Sequence, residues 1–224
     1  MVASSGGGAK MFSSPDGFKF SPMTQKPSLT GSDTQDVVFY DELYKQYVYY
    51  GRTHERGGPP CPKGTQQAGR SIGRMLLGTN VSAWPIHSAD QVPTIFNVDP
   101  DDAPCMDVYC NAATPYAGIY LMFPLMFKHF IGPANDGLLE ARVVASRDGV
   151  NFSYIGANGR DAFLPRGTGV HRPGHVGIFS GEFDAAATAM ARGLFEIGDQ
   201  IVRLQCQPTF FASYLRLLVI VRPI

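Results

Sequence analysis

Nowhere in this chain does an apolar stretch reach the roughly 20 residues that a membrane-spanning helix requires. The most apolar segment, Tyr214 to Val221, is far shorter and carries Arg216. The N-terminal MVASSGGGAK lacks the apolar core of a secretory signal. Both absences predict a soluble protein with no signal peptide visible and no membrane partner. Net charge is missing too. The 19 Lys and Arg balance the 19 Asp and Glu, which removes the basic footprint of a nucleic-acid binder. The four cysteines, Cys61, Cys105, Cys110 and Cys206, form no CxxC pair and face no HxxxH. Reduced thiols are expected, and no metal site. His54, His87, His129, His171 and His175 show no metal spacing, and the loop Gly167 to His175 reads as a polar turn. With no phosphate-binding glycine loop and no GxSxG elbow, no cofactor is expected.

What the chain does have points to strands. Charged residues are only 17% of the sequence, low for a helical protein, while 44% is hydrophobic and supports a substantial core. The 25 Gly and 17 Pro show no collagen-like period and fit many tight turns. The 15 Phe and 10 Tyr suit pleated surfaces on which flat rings pack.

A repeat runs through this composition. Ser14-Pro15-Asp16-Gly17-Phe18-Lys19-Phe20, Thr79-Asn80-Val81-Ser82-Ala83-Trp84 and Ser146-Arg147-Asp148-Gly149-Val150-Asn151-Phe152 each read as a turn closed by an aromatic residue. The closing rings are about 64 and about 68 residues apart, and each is expected to be buried. Between the turns lie hairpins. Asp36 to Asp41 leads through a polar turn to Gln46–Arg52. About 71 residues later, Asp107 to Cys110 leads through 111–118 to Ile119–Phe123. Gly193–Glu196 and Gln200–Leu204 form a third, fainter copy. Arg70 to Leu77 and Leu138 to Ala145 fit either a helix or a strand by periodicity alone. Their place before equivalent turns makes each the third strand of a unit. Ala185 to Ala191 is the one stretch assigned to a helix, on its alanines. The expected fold class is therefore all-β: an incomplete β-propeller of about three four-stranded antiparallel blades. Long loops at 57–62 and 98–104 join the strands, and such loops often carry function on a rigid β scaffold.

These residues, in this order, resemble the five-bladed β-propeller clan of invertases, levansucrases and arabinanases, and in particular its uncharacterised members similar to glycoside hydrolase family 32. The resemblance covers roughly residues 12 to 204 and rests mostly on turns and hairpins. It implies a carbohydrate partner and carboxylates at the inner ends of successive blades, where a pair can flank a glycosidic bond. The position resembling the stabilising carboxylate holds Asp33 and Asp36, and Asp33 is favoured because Asp36 can simply cap the strand. The position resembling the general acid holds Pro104, Cys105 and Met106 in place of a glutamate. Asp107 is the nearest carboxylate, with Asp101 and Asp102 behind it. Asp33 and Asp107 are thus the catalytic candidates of a possible glycoside hydrolase with an incomplete site. A non-catalytic carbohydrate-binding or interaction module, or a truncated product without independent activity, is the alternative. The expected organisation is a disordered N-terminus over 1–11, a partial propeller over 12–204 and a divergent apolar tail over 205–224. An open ring leaves strand edges through which copies could self-associate.

Overall fold

The computed structural model describes the chain except residues 1, 6–7, 25, 28, 33–34, 82–83, 85–86, 131–136, 157–158, 172–178, 182–186, 192, 198–199, 209–212 and 222–224. The described residues are almost entirely strand and loop, with a short 3-10 turn at Ala89–Gln91. No helix among them is long and apolar enough to cross a membrane. The architecture is an incomplete propeller-like array of mostly antiparallel sheets.

The first sheet gathers β1 (Val2–Ser5), β2 (Gly8–Ser13), β3 (Ser21–Pro22) and β4 (Leu29–Thr30). Residues 1–11 were expected without fixed structure, yet Val2–Ser5 pairs with Gly8–Met11. Ala9 and Met11 are buried against Leu29 and Trp84, and this apolar cover makes the order.

The first complete blade consists of β5 (Val37–Asp41), β6 (Gln46–His54), β7 (Arg70–Gly78) and β9 (Thr94–Phe96). The short β8 (His87–Ser88) returns to β4 in the first sheet. Strand β6 shows why this blade reads as an unbroken apolar run. Val48 and Tyr50 pack toward the second blade, while Tyr49 packs toward the N-terminal sheet. Burial on both faces removes the alternation of a half-exposed strand. The strand assignment of Arg70 to Leu77 and the 36–52 hairpin are both observed.

The second blade differs from its expected layout. Strands β10 (Met106–Cys110) and β11 (Thr114–Tyr116) run up one side, and β12 (Ile119–Met122) and β13 (Leu125–His129) return. Asp107 to Cys110 pairs with β13, whereas β12 pairs with β11, so the tight turn lies at Ala117–Gly118 and not across 111–118. Strands β14 (Gly137–Ala141) and β15 (Val144–Ser146) continue the ladder in one register. The Arg142 N–H still donates to the Pro124 carbonyl at 3.0 Å between them. Pro124 has no N–H to return, and this opens the sheet into two halves. The short β16 (Ser153–Tyr154) closes the blade.

Beyond it, β17 (Gly169–His171) pairs with β18 (Phe179–Gly181). A last sheet holds β19 (Ala189–Met190), β20 (Phe195–Ile197), β21 (Gln200–Pro208) and β22 (Ser213–Val221). The expected third hairpin is present as β20 and β21. The boundary expected at residue 205 falls inside β21, which pairs along its length with β22. The helix expected over Ala185 to Ala191 is corrected: Ala187 bridges to Leu139 and Ala189–Met190 is a strand. Residues 185 and 186 lie outside the described ones. Alanine favours a helix intrinsically, but Ala187 and Ala189 are buried here, where small side chains let the sheets approach.

Two further expectations are corrected. Cys61 and Cys105 are not free thiols but a disulfide spanning 44 residues, while Cys110 is buried and in no disulfide. Phe20 is 42% exposed, because the turn that carries it projects from the sheet edge; Trp84, at 8%, is buried as expected. Phe152 is half-buried against Tyr50.

Candidate functional site

The inner strands β5 and β10 each begin beside a carboxylate. Asp33 lies outside the described residues. Asp36, directly before β5, is buried and accepts hydrogen bonds from Tyr49 Oη at 2.6 Å and Ser32 Oγ at 2.8 Å. Burial, reinforced by the Asp36 charge, pushes the Tyr49 hydroxyl far above its ordinary value, so Tyr49 stays a donor. Asp36 thus ties the start of β5 to the Ser32 and Tyr49 side chains.

Asp107 stands at the equivalent start of β10 with 0% exposure. Its carboxylate accepts from the backbone N–H groups of Ala68, Gly69 and Arg70 at 3.0 to 3.2 Å. Arg70 Nη1 adds a contact at 3.3 Å and His129 Nε2 another at 2.7 Å. Burial alone would raise its pKa, but the His129 hydrogen bond and the charges of His129 and Arg70 outweigh this and hold it below the usual carboxylate range. A general acid must carry a proton near neutral pH. An enclosed, ionised carboxylate with five protein donors is suited instead to clamping the 68–70 segment of one blade onto the inner strand of the next.

Cations and rings link β6 and β7 of the first complete blade to β10 of the second. Arg52 donates to the Tyr109 carbonyl at 2.7 Å and 3.2 Å. Its guanidinium lies 4.6 Å from the Tyr109 ring centre, and that of Arg70 lies 5.2 Å from it. Tyr109 is half-buried and meets Phe127 edge-on. The loop over 98–104, singled out for its length, is held by arginines. Asp102 faces Arg142 at 2.5 Å and Arg160 at 3.0 Å, while Asp99 faces Arg160 at 2.6 Å. Asp101 is more remote, 3.6 Å from Arg160.

The open space lies at the other long loop. A cleft of about 640 Å³ is lined by Arg56, Gly57, Gly58, Pro60, Cys61, Thr65, Gln66 and Gln67. Its wall is fastened at three points: the disulfide from Cys61 to Cys105, hydrogen bonds from Gln67 Nε2 to the carbonyls of Met106 and Gly57, and the Asp107 clamp on the adjoining 68–70 segment. A smaller cleft of about 400 Å³ has His54, Glu55 and Asp90 among its lining. Arg56, Gln66 and Gln67 were not singled out from sequence. The glycine- and proline-rich loop beside them was the available signal. No cluster of metal-ligating residues occurs among the described residues.

No family model and no curated protein matches this sequence. Two solved structures share its fold. One, a complex described by the names BT0996 and RGII, is 14% identical with a TM-score of 0.58, over 95% of this chain and 56% of that one. The other, described as "Glycoside hydrolase", is 13% identical with a TM-score of 0.58, over 97% of this chain and 57% of that one. The chain therefore spans little more than half the length of the structures it matches. At these identities the likeness is one of fold.

Proposed function

We propose that this chain is a carbohydrate-binding protein on a glycoside-hydrolase-like propeller scaffold. The observation that carries the reading is the cleft of about 640 Å³ at the fastened 56–67 loop. Its volume lies in the range of small-ligand sites. Its lining offers a guanidinium, two side-chain amides and a hydroxyl, the groups that hydrogen-bond a hydroxyl-rich ligand. The fold shared with a protein described as a glycoside hydrolase, and another described in complex with RGII, supports carbohydrate as the ligand class.

Binding is favoured over hydrolysis because Asp107 is enclosed and its five donors leave no carboxyl oxygen for a substrate. The catalytic assignment of Asp33 and Asp107 goes to the same experiment. Purified protein is surveyed against immobilised glycans and assayed for hydrolysis of fructans and arabinans. Glycan retention without product release is the expected result. Hydrolysis lost in Asp33→Asn but present in the wild type would return the chain to the enzymes. Absence of binding to any glycan would overturn the carbohydrate reading.

A further inference from the structure

We infer that the cleft beside Arg56 selects an acidic sugar, a uronate-bearing glycan whose carboxylate pairs with the Arg56 guanidinium; this rests on the carbohydrate reading above. Arg56 is the one charged member of the described lining, is exposed, and has no carboxylate in ion-pair range among the described residues. Four other arginines do have carboxylate partners. Arg70, Arg142 and Arg160 are each matched to an aspartate, and Arg166 to Glu140. A guanidinium presents a planar fork of donors that fits a carboxylate at two points.

The surroundings favour the same ligand. Gln66 is exposed and contributes an amide, and Thr65 adds a hydroxyl that can donate to ring oxygens and hydroxyls. No described lining residue is acidic, so nothing in the cleft repels an anion. The acidic Glu55 and Asp90 are among the lining of the smaller cleft. The wall is also built to hold position. A methyl group on Gly69 would stand 2.7 Å from Arg56 Cγ, so the bare backbone there leaves the room in which the arginine stem lies. Gln67, with its amide given to Met106 and Gly57, keeps the loop at the blade edge.

The test compares a galacturonate tetramer with its methyl ester, which keeps shape and hydroxyls but removes the charge. Titration calorimetry on the full chain should find the free acid bound at least about tenfold more tightly, with the preference shrinking as salt rises. Arg56→Gln, an exposed change that should leave folding intact by circular dichroism, should remove the preference and bind both ligands alike. Equal affinity of wild type for acid and ester, or an unchanged preference in Arg56→Gln, overturns the inference. Binding of neutral glycans with rejection of the acid would sink this inference while leaving the carbohydrate reading standing. Failure to bind any glycan in the survey would remove both.

Discussion

His129 Nε2 stands 2.7 Å from Asp107 Oδ2, and neither side chain has any solvent exposure. Because the carboxyl is held below its ordinary range in the fold, the folded state binds its proton less readily than the unfolded chain does. Its contribution to stability is thus complete above the unfolded value near pH 4 and is lost as pH falls through the folded value. Asp107→Asn should cost about 3–5 kcal/mol at neutral pH, since it strands Arg70 and His129 beside a neutral amide. Urea unfolding at pH 7 and at pH 3 checks both parts: the gap between variant and wild type should narrow in acid.

The two Asp-Gly turns share one hydrogen-bond pattern but not one environment. Gly17 N–H and Gly149 N–H each donate to a serine Oγ three residues earlier at 2.9 Å. Both glycines have positive φ, at 77° and 72°. A methyl on Gly17 would meet nothing, whereas one on Gly149 would stand 2.6 Å from Tyr50 Oη, which donates to the Gly149 carbonyl. Gly17→Ala should cost only the backbone strain of about 1–2 kcal/mol. Gly149→Ala should cost clearly more in thermal unfolding, because it also breaks the contact between blades.

Trp84 fills the space between the first complete blade and the N-terminal sheet, meeting Tyr47 edge-on at 5.2 Å. Trp84→Ala should therefore destabilise by about 3–5 kcal/mol, the range for deleting a buried large aromatic. Quenching of its fluorescence by iodide should be weak in the native protein. Strong quenching, or a loss below about 0.5 kcal/mol, would place the ring at the surface.

The Cys61–Cys105 bond closes a loop of 44 residues. On chain entropy alone it should stabilise the fold by about 4 kcal/mol. A Cys61→Ser, Cys105→Ser double variant should show that loss, and should match wild type held in reducing agent. Because the bond also fastens the cleft wall, the double variant should bind glycans more weakly even at temperatures where it remains folded.

Local chemistry was enough to announce the class of fold. The Asp-Gly turns, the aromatic content and the paired apolar runs over 36–52, 70–77 and 138–145 each specify strands or tight turns through interactions between residues close in sequence. These elements stand where the sequence puts them. The site was legible only in part. The starts of β5 and β10 carry the carboxylates that the repeat spacing indicated, but whether a carboxylate is open or enclosed depends on which distant groups reach it. For Asp107 those groups are the backbone at 68–70 and His129, supplied by another blade and by the return strand. The same holds for the disulfide, since nothing in the spacing of Cys61 and Cys105 anticipates that blade packing brings their Cα atoms to 4.4 Å. It holds for the pairing of β10 as well, where Pro124 withholds one ladder donor and the hairpin splits into two sheets. Turn and strand propensities act over a few residues and are written in the chain itself. Burial, charge pairing and the shape of a cleft are sums over residues far apart in sequence, and the tertiary structure alone decided them.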